Sequence, residues 1–305
     1  MDFTYVSLAD YAEGFGQGSD ALPPWVPPGA TAPLSLDTPA VRRRVEDVLD
    51  TVVALQRADW LQDGVFTGPS SMPEVYDAVL HAARTLDVAV PPAVIAGCAM
   101  SSQGVFGTDD RAFLYLSTYF MGPADPAERR FLAGRLCGFA AAQLVTANTL
   151  YALLVDHGGL RQVARKGVGP VLEVVLAPLS LGVRLALSRW HRHAEVAADR
   201  AGLLCCDDLD AAGRALLRQT LGGARGVAPE AYMAQLDALR SDQSPGRFAQ
   251  LVADRPWTHK RLKALEVFHR SEVFAAAGGT TPEGSPRYDA DELERRTTQL
   301  LGVTS

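Results

Sequence analysis

The sequence predicts a mainly helical domain with a small β-sheet, an α+β fold. Most segments between residues 38 and 275 place apolar residues at the three- and four-residue spacing of a helix. Only two short runs, 93–99 and 112–118, have the β-branched and aromatic composition of strands. With 305 residues, 48% of them hydrophobic, the chain is long enough to bury a large core.

Composition divides the chain into three regions. Residues 1–37 are rich in Gly and Pro and form an N-terminal arm, which is expected either to dock through Trp25 or to remain partly disordered. Residues 38–275 form the main domain. Residues 276–305 form a linker and a short helix, which is expected to dock on the body or on another protein.

The predicted elements follow from local signals. Thr38 and Pro39 begin the first helix, residues 64–71 form a loop, and Ser71 to Glu74 is a capping box that begins the second helix. The two strands then follow, joined by a turn that contains glycine. Helices are predicted after that at 128–155, 160–188 (one or two), 190–204, 210–221, 229–241, 248–253, 258–274 and 289–301.

Charge and cysteine content exclude some functions. The formal net charge of −6, without a long basic run, argues against a nucleic-acid-binding role. The four cysteines, at 98, 137, 205 and 206, have no repeated spacing, which favours a reducing, cytoplasmic location over a disulfide framework. Cys137 lies in an apolar helix, where a thiol is usually inert. The first thirty residues lack the pattern of a secretory signal.

One apolar run raises the question of a membrane. Residues 136–155 carry no charge and are about as long as a bilayer-spanning helix. Polar residues such as Gln143 and Asn148 interrupt the run, so a helix buried in a large core is the preferred interpretation. The alternative is that this segment faces lipid, with peripheral membrane association.

Three segments carry a resemblance to a known family. The first runs from Glu128 to Ala140 and includes Arg130-Phe-Leu-Ala-Gly134. The second contains Glu195, Asp199 and Arg200 in the pattern Glu-x-x-x-Asp-Arg, and the third is 254–265, with the pattern Pro-x-x-x-x-Arg-Leu. In this order and spacing they resemble the HtpX and CAAX-prenyl-protease type of zinc metallopeptidase.

The resemblance implies a zincin-like fold whose zinc site has been lost. In that family the first segment carries His-Glu-x-x-His, which supplies two zinc ligands and the general base, and the second supplies a third ligand, Glu. The matching positions here are Arg135, Leu136, Phe139 and Glu195, and the usual His of the third segment is Arg255. We therefore expect no zinc or other cofactor and no peptidase activity.

Two expectations follow for the lost site. A buried Glu195 needs a partner, so we predict an ion pair with Arg135, with Arg255 as a second candidate, while Phe139 fills the place of the second imidazole. The alternative is a rearranged metal site at His191 and Glu195, with His193 or His157 as a further ligand. Asp199 cannot join it, because it lies about 12 Å from His191 along the helix axis.

The functional hypothesis is a pseudopeptidase that holds a protein partner of unknown identity. The partner would bind in the old cleft, on the N-terminal arm or on the C-terminal helix. In the resembled family the small sheet can bind an extended peptide, although a sheet that only closes the core is the preferred interpretation here. The alternatives are a metal-dependent peptidase using His191 and Glu195, and a regulatory subunit of an active paralogue or a membrane complex.

Overall fold

The computed structural model describes residues 22–31, 64–97, 103–154, 181–223, 226–239, 258–284 and 287–302, together with positions 54, 58, 61 and 62. Several predictions lie outside the described residues. These are the first helix, the bent segment before residue 181, the helix at 248–253, and the side chains of Cys98, His157 and Arg255.

The described residues form a mainly helical structure with one mixed sheet, so the α+β prediction is confirmed. After a short 3-10 turn, Pro28–Ala30, the strands are β1 (Gly64–Phe66), β2 (Ala93–Ala96), β3 (Gly104–Thr108) and β4 (Arg111–Ser117). The helices are α1 (Pro73–Thr85), α2 (Thr118–Met121), α3 (Pro126–Ala141), α4 (Val145–Leu154), α5 (Leu181–Cys206), α6 (Leu209–Thr220), α7 (Pro229–Leu239), α8 (Thr258–His269), α9 (Glu272–Ala276) and α10 (Ala290–Leu301).

The sheet differs from the prediction in two places. Its strand order is β1-β2-β4-β3, with β2 parallel to β4 and the other pairs antiparallel. β1 lies in the segment predicted as a loop, and β3 lies in the segment predicted as a turn. β3 was missed because its sequence, Gly-Val-Phe-Gly-Thr, contains two glycines, which have low β propensity. Gly107 has φ 123°, and a Cβ there would lie 1.9 Å from the carbonyl oxygen of Arg111.

Helix α3 is the centre of the core and packs most closely on α5. Its start is fixed by a capping box, in which Asp125 and Glu128 each accept a hydrogen bond from the other's backbone N–H. Glycines allow the two helices to approach: a Cβ on Gly138 would lie 2.4 Å from Cβ of Ala201, and one on Gly134 would lie 2.7 Å from Cβ of Cys205. This close crossing places the candidate site residues of the two helices opposite each other.

The apolar run at 136–155 is two helices, not one. α3 ends at Ala141 and α4 begins at Val145, and between them Gln143 adopts φ 54°, a left-handed conformation that ends a helix. The prediction of one continuous helix was therefore wrong at this point. Leu144 and Thr149 are buried within the protein core. Among the described residues, no helix combines the length and apolarity needed to cross a bilayer.

Both ends of the described chain dock on α5. Residues 22–31, here called the N-terminal strap, bury Trp25, and the carbonyl oxygen of Ala30 accepts a 2.8 Å hydrogen bond from Nε1 of Trp190. Arg200 of α5 donates to the carbonyl oxygen of Trp25 at 3.0 Å and also to Glu294 and Thr297 of α10, at 2.7 Å each. The C-terminal helix was expected to dock either on the body or on another protein. In the structure α10 docks on α5 of the same chain.

Candidate functional site

Four charged side chains form a buried cluster between α3, α5 and α8. Arg135 donates from Nη2 to Oε2 of Glu195 at 2.6 Å and from Nε to Oδ1 of Asp199 at 2.5 Å. Arg261 donates from Nε and Nη2 to Asp199, at 2.8 and 2.6 Å, and its Nη2 lies 3.2 Å from Oε2 of Glu195. The predicted ion pair between Arg135 and Glu195 is confirmed.

Arg261 is a second cation of the cluster. The predicted candidate Arg255 lies outside the described residues, so its pairing with Glu195 stays a prediction. Arg261 is the arginine that ends the Pro-x-x-x-x-Arg pattern of the third segment. The sequence therefore contained a signal for this residue. The motif gave its position, but which acid it would meet depends on how α8 packs across α5.

Among the described residues, the cluster contains two cations and two anions, and the formal charges of these four side chains balance. Each of the four side chains is less than a tenth exposed, and burying ions without partners would cost several kcal/mol each. Burial alone would lower the pKa of Arg261, but the negative charges of Asp199 and Glu195 outweigh this effect and raise that pKa. Arg135 also donates from Nη1 to Oε1 of Gln219 at 2.9 Å. Each of its three guanidinium nitrogens, Nε, Nη1 and Nη2, therefore donates a hydrogen bond.

His191 lies one helical turn before Glu195 and contacts the edge of the cluster. Its ring stacks on Tyr151 with 3.8 Å between centroids, and Nε2 lies 3.5 Å from Oε1 of Glu195. His193 instead packs under the strap, where a Cβ on Gly29 would lie 2.5 Å from Nδ1 of the histidine ring. The two ligands of the alternative metal site are thus close together, but His193 is directed to another part of the structure.

A cavity of about 280 Å³ opens above the cluster. All four positions inferred from the family resemblance line it: Arg135, Leu136, Phe139 and Glu195. His191 and Arg261 line it as well. The positions that the resemblance relates to one another are therefore brought to one place, although they come from two helices and lie some sixty residues apart in sequence.

The donor set at this cavity does not fit the zinc arrangement of the resembled family. A zinc site of that kind needs about three nitrogen, sulfur or carboxylate ligands from the protein. Only Glu195 of the corresponding positions can coordinate a metal, and Arg135 brings a positive charge to it. Leu136 has no group that could take a proton from water. Within the described ranges, no three His, Cys, Asp or Glu side chains are grouped to hold a metal ion.

The outer edge of β3, which borders the cavity, is already hydrogen-bonded by α4. Nδ2 of Asn148 donates to the carbonyl oxygen of Val105 at 3.1 Å, and the backbone N–H of Gly107 donates to Oγ1 of Thr149 at 3.0 Å. A peptide that added to β3 as a further strand would have to displace these side chains. This geometry favours the interpretation that the sheet closes the core.

Sequence reasoning missed a second buried charge cluster, around Glu128. This carboxylate is 1% exposed and accepts hydrogen bonds from Arg214 at 3.2 Å and Arg218 at 3.0 Å. The available signal was the Asp125-Pro-Ala-Glu128 capping pattern, which predicts a role at the helix start but not the contacts to α6. The cluster fixes α6 to the start of α3.

The cysteines of the described residues offer no nucleophile. Cys137 is fully buried, and burial raises the pKa of its thiol to about 12. Burial also raises the pKa of Cys206 to about 12. At neutral pH both remain protonated, which agrees with the inert role expected for Cys137.

Comparison of the chain with protein-family models, with curated proteins and with solved structures gave no match. The resemblance therefore stands on the three segments themselves. Each contributes to the charged cluster: Arg135 comes from the first segment, Glu195 and Asp199 from the second, and Arg261 from the third.

Proposed function

We propose that this chain is a catalytically inactive, zincin-like relative of the zinc metallopeptidases, and that it acts as a protein-binding or regulatory module. The observation that carries the proposal is the meeting of the three motif segments at one cavity. At this cavity, an arginine occupies the position of the first zinc-binding histidine and forms hydrogen bonds to the glutamate that would be the third ligand.

The charged cluster opposes metal binding in the usual arrangement. Oε2 of Glu195 lies within 3.2 Å of both Arg135 and Arg261. A metal ion at Glu195 would compete with these two guanidinium groups and would leave a buried cation without its full set of partners. Breaking a buried ion pair in this way costs about 3–5 kcal/mol.

The exposed residues favour the rim of the cavity as the partner's binding site, because the β3 edge of the sheet is covered. β3 is covered by α4, and the inner faces of the strap and α10 are buried against α5. Tyr119 and Leu221 are both more than 40% exposed, and Phe120 and Thr220, their neighbours in sequence, line the cavity. Gly223 brings the two chain segments together, because a Cβ there would lie 2.4 Å from the ring of Tyr119. Tyr119 and Leu221 therefore form the exposed surface that we propose for the partner.

Metal analysis combined with restoration of the motif tests the loss of catalysis. The wild-type protein should contain far less than one zinc ion per chain and cleave no peptide. The triple variant Arg135→His/Leu136→Glu/Phe139→His should bind about one zinc ion, because it recreates the family's ligand set beside Glu195. Adding Glu195→Ala to the triple variant is the control and should weaken that binding.

Two outcomes would contradict the proposal. Near-stoichiometric zinc in the wild-type protein, with peptide cleavage that Glu195→Ala abolishes, would establish an active peptidase. If His191→Ala also removed the metal, the rearranged site would be the correct description.

For the binding role, a photo-crosslinking residue at Tyr119 should give one discrete adduct in cells that unlabelled protein competes away, and the same residue at the exposed Val65 should not.

A further inference from the structure

The cavity contains a polar side chain that has no partner among the described residues. Gln103, the residue before β3, lines the cavity, and both Nε2 and Oε1 are buried and make no hydrogen bond to any residue in the described part of the chain. A buried amide without partners typically costs about 1–3 kcal/mol, so such groups are rare unless a ligand or water satisfies them. Gln219, which also lines the cavity, accepts a hydrogen bond from Arg135.

The carboxamide of Gln103 specifies the chemistry of its missing partner. It offers a donor and an acceptor side by side, and a partner that satisfies both must offer an acceptor and a donor on one edge. Primary amides and the cyclic amide edges of heterocycles do so, and glutamine pairs with the adenine edge in this bidentate way. A trans peptide group does not, because its N–H and C=O point in opposite directions.

The walls of the cavity suit a flat ring. The described residues that line it include Phe106, Phe120 and Phe139, together with Tyr151, whose ring is stacked on His191. Aromatic side chains bind planar rings by stacking, whatever the identity of the ring. The volume of about 280 Å³ lies just below the usual range of about 300–1,000 Å³ for ligand sites, and so matches a single ring system rather than a peptide.

We infer that this cavity is a binding site for a small planar molecule that carries an amide edge, either an aromatic carboxamide or a cyclic amide such as a pyrimidine base. Gln103 would pair with the amide edge while the ring lies among the aromatic side chains. This inference goes beyond the proposed function and does not depend on it, because it requires neither a protein partner nor the absence of catalysis.

Binding of three probes to the full-length protein tests the inference. We expect saturable binding, by ligand-observed NMR and calorimetry, of benzamide, uracil or both. N,N-dimethylbenzamide keeps the ring and the carbonyl group but lacks the N–H, and should bind at least about tenfold more weakly than benzamide, in line with the loss of a buried hydrogen bond. Binding by benzamide alone would assign an open amide, and binding by uracil alone a cyclic one.

Gln103→Leu gives a second, independent readout. Leucine keeps much of the side-chain volume and removes both unsatisfied atoms, so the variant should lose probe affinity by about tenfold or more and yet unfold at a temperature about 2 °C or more above that of the wild type. Gln299→Leu, at an exposed glutamine of α10, is the matched control and should change neither quantity.

The inference is overturned if neither benzamide nor uracil binds, since an ordered water would then be the partner of Gln103. It is also overturned if a probe binds equally well to the wild type and to Gln103→Leu, or if benzamide and its dimethyl derivative bind alike. A Gln103→Leu variant that is less stable than the wild type without any ligand would show that the amide has a structural partner.

Discussion

Replacing Arg135 by methionine tests the charged cluster most directly. Methionine keeps an unbranched side chain of similar length but removes the guanidinium group, so Arg261 is the one arginine of the described residues that still pairs with both Glu195 and Asp199. The cluster then carries one uncompensated negative charge in a site where every member is less than a tenth exposed. Removing one partner from a buried ion pair costs about 3–5 kcal/mol, and that is the expected loss in unfolding free energy.

The assay is urea denaturation followed by circular dichroism, with two further variants. Arg135→Met/Glu195→Gln restores the charge balance and should recover part of the loss, which a double-mutant cycle measures as a coupling of about 1–3 kcal/mol. Arg295→Met removes an exposed arginine that is paired with Glu292 and should cost less than about 0.5 kcal/mol.

Arg135→Lys separates charge from geometry. Lysine keeps the charge but cannot reproduce the contacts of Nε, Nη1 and Nη2 with three different acceptors. The unfolding free energy of Arg135→Lys should therefore lie between those of the wild type and Arg135→Met. The reasoning fails if Arg135→Met destabilises the protein no more than Arg295→Met does. It also fails if the double variant is as unstable as the sum of its single changes.

Three further predictions concern α5 and the helices around it. Arg200→Met should increase hydrogen exchange in the strap and in α10 together, because one guanidinium group binds both; exchange in only one of them would contradict this coupling. Gly138→Ala should cost about 1–3 kcal/mol in chemical denaturation, since its Cβ would lie 2.4 Å from Ala201, and Ala201→Gly should rescue it. Burial, followed by the charges of Arg189, Arg192 and Arg200, lowers the pKa of His193 to about 4. Stability should therefore fall as pH decreases from about 6.5 to 4, where only the unfolded histidine gains a proton, and His193→Gln should reduce that slope.

Sequence reasoning succeeded where the family resemblance related two positions that lie far apart in the chain. Arg135 and Glu195 were matched through motif positions, and the need to neutralise a buried carboxylate led to their ion pair. For the N-terminal arm, docking through Trp25 was one of two open alternatives, and the structure has Trp25 buried.

The rest depended on tertiary packing that no local pattern encodes. Gln103 is an ordinary polar residue in sequence, and only the cavity around it shows that its amide has no partner. β3 was hidden by its glycines, and the end of α3 by Gln143, which is compatible with a helix until its φ is known. The role of Arg261 depended on the packing of α8, which brings a motif arginine to Asp199.

The side chains of α4 that lie along β3 also have a consequence for solubility. An edge strand with unpaired N–H and C=O groups is a template on which other chains can assemble, and natural sheets cover or interrupt such edges. Asn148 and Thr149 cover β3 by occupying the groups that a neighbouring strand would use. The contacts that prevent a peptide from joining the sheet thus also protect the protein from edge-to-edge aggregation. A variant engineered to reopen the groove for peptides would be expected to lose that protection as well.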